Sequence, residues 1–231
     1  MNARNQIMCA ASGFIFIVGF FVGWWIIAGL VPPISPSATA QEVANFYSQN
    51  SIRIQFGLAT AMFSMAFLIP MASAWSTQIR RMERGEPVLA RAQFGCAVVT
   101  TGIVTIGVLL WSVTAFRPDR DIELTLLLHD LSWIGFTMPV SGIMVWMLCV
   151  GFAILTDYNS EPIFPRWMGY FSMLAALLTA PGFPVVLFKS GPFAWNGLLA
   201  FWVALSIVII WASMLIVLTI RNLSRGDTNL N

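Results

Sequence analysis

Residues 8–31 read MCAASGFIFIVGFFVGWWIIAGLV, a run of 24 residues without a single charge. An α-helix rises about 1.5 Å per residue, so about 20 apolar residues cross a hydrocarbon core of roughly 30 Å. Arg4 in front of the run and Ala38-Thr39-Ala40 behind it imitate a cleavable signal peptide. The run is too long for that, because a signal core spans only about 7–15 residues. We read it as a retained first membrane span.

Working outward, five more stretches pass the same test: 54–77, 92–116, 131–155, 166–188 and 196–220. Short connections are nearly all that remains, so the expected fold is one all-α domain, a polytopic bundle of six transmembrane spans. Composition agrees. The 231 residues are 58% hydrophobic and only 10% charged, against about 25% charged in a soluble domain. Net charge is +2 with the arginines scattered, which does not form a nucleic-acid footprint.

Lys and Arg set the expected orientation. With the N-terminus inside, the inner segments hold Arg4, Arg80, Arg81, Arg84, Arg91, Arg166, Arg221 and Arg225. The outer ones hold Arg53, Arg117, Arg120 and Lys189. That is the positive-inside bias, and it puts both termini in the cytoplasm. Trp24, Trp25, Trp111, Trp133 and Trp195 then fall near the outer interface, and Trp75 and Trp167 near the inner one.

Between the first two spans, Thr39-Ala40-Gln41-Glu42 has capping-box form. Ala40, Val43, Ala44, Phe46 and Tyr47 follow at helical spacing, which predicts a short amphipathic helix on the outer face. Pro70, Pro139 and the Pro181-Gly182-Phe183-Pro184 segment interrupt the second, fourth and fifth spans, and each proline frees a carbonyl. In a three-plus-three division, Pro70 and Pro181 occupy corresponding helices, which would suit an inverted-repeat transporter. Pro192 suits the first turn of the last helix. Gly19 and Gly23 present a small-residue face for packing within the bundle or for dimerisation.

Candidate functional residues are few. His129 and Asp130 sit between apolar runs near the outer interface, where a polar group is a site hypothesis by default. Arg53 is a partner for Asp130. An outward-facing pocket is expected, bordered by Arg53, His129, Asp130, Lys189 and Asn196 and walled by Trp111, Trp133 and Trp195. Such a pocket suits membrane lipid or another hydrophobic small molecule with an anionic head. An enzyme with Asp130 and His129 as acid and base is the alternative, and a small transporter the third reading. A single His and three dispersed cysteines (Cys9, Cys96, Cys149) provide no metal set, no bis-His haem site and no disulfide framework, and no cofactor is expected.

Three segments carry a resemblance: SPSATAQEVANFYSQNSIRI at 35–54, FPRWMGYF at 164–171 and GPFAWNGLLAFW at 191–202. Together they resemble uncharacterised multi-span bacterial inner-membrane proteins grouped under domains of unknown function. The resemblance implies a bacterial inner-membrane bundle and carries no reaction. The residues themselves leave as the leading expectation a non-catalytic accessory or hydrophobic-ligand-binding bundle, as a homo-oligomer or as a subunit of a larger membrane complex.

Overall fold

The computed structural model describes residues 3–228. It consists of six long apolar helices: α1 (Ala3–Ile27), α2 (Ala40–Met82), α3 (Val88–Phe116), α4 (Ile122–Leu155), α5 (Arg166–Leu187) and α6 (Leu198–Arg225). No strand occurs among the described residues. Each helix is long and apolar enough to cross a bilayer, so the chain is a multi-pass integral membrane protein. Neighbours in sequence are neighbours in space, and α6 returns to pack on α1. The six helices therefore close a ring in chain order.

The amphipathic segment is not a separate helix. Thr39 caps it as its sequence requires: its hydroxyl accepts from the Glu42 amide at 3.3 Å, and the Glu42 carboxylate accepts from the Thr39 amide at 2.8 Å. From there the helix runs without a break into the second span. At 43 residues, α2 is roughly 65 Å long, about twice the hydrocarbon thickness. No glycine or proline stands between Tyr47 and Ile54 to end it. The fourth helix also starts earlier than the apolar run implies. Asp121 caps it through the amides of Glu123 (2.9 Å) and Leu124 (3.3 Å), so His129 and Asp130 are helical.

The prolines act unequally. Pro70 cannot bond the carbonyl of Ala66, and α2 tightens into a 3-10 turn over Met65–Phe67. The Ser12 hydroxyl from α1 lies 2.8 Å from the Phe67 carbonyl in this tightened turn. Pro139 breaks α4 outright between Thr137 and Ser141, where the Val140 amide turns to Met138 O at 2.8 Å. The fifth helix becomes 3-10 over Ala180–Leu187. These last two breaks meet: a Cβ on Gly182 would stand 2.6 Å from the Thr137 carbonyl and 2.7 Å from Val140. Pro192 does not open the last helix. It lies in the preceding turns, and its carbonyl accepts from the Leu199 (2.9 Å) and Ala200 (3.1 Å) amides.

The small-residue face of α1 is used inside the bundle. Gly23 stands against the backbone of Gly57 and Ala61 on α2, and Gly57 in turn against Gly23 and Ala28. No side chain fits at that crossing, which brings the two backbones together.

The tryptophans are core residues rather than an interfacial belt. Trp24, Trp111 and Trp133 are fully buried and join Phe136 and Phe201 in one aromatic cluster, with Trp111 and Trp133 centroids 4.8 Å apart. Trp75, Trp146 and Trp211 form a second cluster nearer the arginine-rich end, with centroids 5.3–5.9 Å apart. Trp25 and Trp167 keep substantial exposure, as an interfacial residue should.

Candidate functional site

At the end opposite the arginines, loops and helix starts are stitched together. The Ser37 hydroxyl donates to Lys189 O at 2.9 Å, and Trp195 Nε1 donates to Ile34 O at 2.8 Å. Beneath this cap lies His129, only 1% exposed. Its Nδ1 is 2.9 Å from the Tyr47 hydroxyl of α2, and its ring is 6.3 Å from those of Trp133 and Trp195. If Tyr47 donates, the neutral imidazole carries its proton on Nε2. That nitrogen has no partner in the structure.

The other expected residues do not converge on it. Asp130 points about 100° away around the helix and is half-buried, with the charge of Lys189 acting on it from beyond ion-pair distance. Arg53 is exposed, and its guanidinium lies over Gly29 instead of meeting Asp130. An ion pair does form at the other end of the bundle, between Arg91 and Glu86 at 3.0 Å. Asn196 is half-buried in the turn before α6. Trp111 and Trp133 wall no outward pocket, because both are sealed in the aromatic cluster. The histidine pairs instead with Tyr47, which helical spacing places on the apolar stripe of the outer segment.

The cavity lies elsewhere. At the centre of the ring is a space of about 180 Å³ to which all six helices contribute. Phe16 comes from α1, Met71 from α2, Val104 from α3 and Thr179 from α5. The broken stretch of α4 supplies Phe136 to Val140, with Ile143 and Trp146 a turn or more further on. The last helix supplies Ala200, Ala204, Val208 and Ala212, a row at four-residue spacing whose small side chains leave the volume open. Phe136 and Phe201 join it to one aromatic cluster, Trp146 and Trp211 to the other. These positions fall near the middles of their spans, at mid-membrane depth. None of the lining side chains is ionisable, and none belongs to the expected outward pocket.

A legible trace of the cavity does exist in the sequence: the Ala200, Ala204, Ala212 row facing a proline-broken helix. It took the ring packing to show that nothing bulky fills the space opposite.

An apolar cavity of about 150 Å³ stays dry and admits a benzene-sized molecule. This one is slightly larger. Its lining is apolar apart from the hydroxyls of Thr100, Thr137 and Thr179 and the indoles of Trp146 and Trp211. The class defined by fold and site is thus a six-helix membrane bundle with a central apolar cavity. No family model matches the chain, and no curated protein or solved structure matches it either.

Proposed function

We propose that the protein is a non-catalytic binder of small hydrophobic molecules drawn from the bilayer, resident in the bacterial cytoplasmic membrane with both termini inside. The observation that carries this reading is the uncharged cavity at the centre of the ring. A charged ligand there would be desolvated without a counter-charge, at a cost of several kcal/mol. An apolar one gains about 25 cal/mol per Å² of surface it buries from water, and its gain over the bilayer comes from packing contacts. The orientation rests on the eight arginines named above for the inner side.

The test uses the two tryptophans in the cavity wall. Bromobenzene, a heavy-atom quencher, is titrated into the protein in lipid nanodiscs while tryptophan emission is followed. Saturable quenching is expected, and Ala204→Phe, which fills the space, should remove the saturable part. Quenching that rises linearly with bromobenzene in the unaltered protein would mean bilayer partitioning alone and would sink the reading.

A further inference from the structure

A second recess opens on the lipid-facing surface, where the start of α5 meets the end of α6 at the arginine-rich end. It is a groove of about 280 Å³ lined by Trp167 from α5 and by Ser213, Met214, Val217, Leu218 and Arg221 from α6. None of these residues lines the central cavity. Positions 214, 217, 218 and 221 recur at three- and four-residue spacing, so they form one stripe along the helix. From Ser213 to Arg221 the stripe is roughly 12 Å long.

The groove is apolar along most of its length and cationic at one end. Residues 198–220 hold no charge, and Arg221 is the first to break the run, which sets it at the boundary between hydrocarbon and water. Trp167 and Arg221 are both exposed. Among the described residues, neither has a hydrogen-bond or ion-pair partner. Arg166, beside Trp167 in sequence, is likewise exposed and without an ion pair among the described residues. No acidic side chain lines the groove to neutralise Arg221. An unpaired guanidinium at the mouth of an apolar groove is complementary to an anion that carries an apolar chain.

We propose that this groove holds one anionic phospholipid from the leaflet at the arginine-rich end. An acyl chain lies along Met214, Val217 and Leu218, and the headgroup phosphate accepts hydrogen bonds from the Arg221 guanidinium. The Trp167 ring stands at headgroup level, where an apolar body with one N–H donor suits both the chain and the ester region. A zwitterionic lipid fits less well, because its ammonium group finds no carboxylate in the wall. The site is independent of the central cavity and of what that cavity binds.

Native mass spectrometry of the full chain in detergent measures the binding of the first lipid added. Dioleoyl phosphatidylglycerol and dioleoyl phosphatidylcholine carry the same chains and differ in headgroup charge. The first phosphatidylglycerol should bind about fivefold tighter than the first phosphatidylcholine. Arg221→Gln should bring the ratio near one, whereas Arg120→Gln, at the other end of the bundle, should leave it unchanged. Met214→Trp, which fills the groove while leaving the arginine, should also abolish the preference. Thermal unfolding checks that each variant is folded, and Arg221→Gln, an exposed substitution, carries the test if Met214→Trp is not. Equal affinities in the unaltered protein, or a preference that survives Arg221→Gln, would overturn the site. A preference lost with Arg221→Gln but kept in folded Met214→Trp would overturn the groove, because the arginine would then attract lipid from the open surface.

Discussion

The Tyr47 hydroxyl and His129 Nδ1 stand 2.9 Å apart, joining the extended start of α2 to α4 in a fully buried position. The turns of α2 beyond its apolar stretch, begun by the Thr39 cap, deliver Tyr47 to the single histidine of the sequence. Tyr47→Phe removes the partner and leaves both imidazole nitrogens unsatisfied. We expect a loss of about 1–3 kcal/mol in unfolding free energy. In the His129→Leu background the same change should cost much less. A double-mutant cycle measured by thermal unfolding in detergent reads the coupling directly, and a coupling near zero would deny the bond.

Gly57 and Gly23 set the α1–α2 crossing, where the backbones touch. Gly57→Leu should cost about 3 kcal/mol or more, and folded protein should be lost from size-exclusion profiles. Gly95→Ala and Gly102→Ala, where nothing lies within 4 Å of the new methyl group, should be neutral or stabilise by up to about 1 kcal/mol. Equal tolerance at Gly57 and Gly102 would contradict the packing described.

Thr39 holds the first turn of α2 through a reciprocal pair of bonds with Glu42. Thr39→Ala should lower stability by about 1 kcal/mol, and Thr39→Asp should retain most of it. Unfolding midpoints of the two variants check this, with indistinguishable midpoints as the contrary result.

The orientation proposed from the arginines is open to thiol labelling. In a variant whose three cysteines are replaced by alanine, Ser190→Cys and Ser160→Cys are both exposed at opposite ends of α5. A membrane-impermeant maleimide applied to intact cells should modify Ser190→Cys and spare Ser160→Cys until the membrane is opened. The reverse pattern would invert the topology.

The six spans were readable from the sequence because length and apolarity alone decide whether a helix can cross a bilayer. The Thr39 cap was readable because it is local. What pattern could not supply was tertiary. The apolar runs place Trp111 and Trp133 at interfacial heights, yet burial depends on which face meets the bundle, and both turn inward. Arg53 and Asp130 share an end of the bundle without sharing a side. Gly19 and Gly23 fit a dimer face as well as an internal one until Gly57 is seen opposite. The central cavity is the extreme case, because its wall is shared by six helices and no segment alone encodes the void.

Xenon binding tests the central claim most directly, since xenon enters dry apolar cavities without needing a hydrogen bond. In crystals of the protein held under xenon pressure, anomalous scattering should show one strong site bounded by Phe136, Val140, Ala204 and Trp146, absent from the Ala204→Phe variant. Xenon only at lipid-facing surfaces, with the centre of the ring unoccupied, would contradict the account.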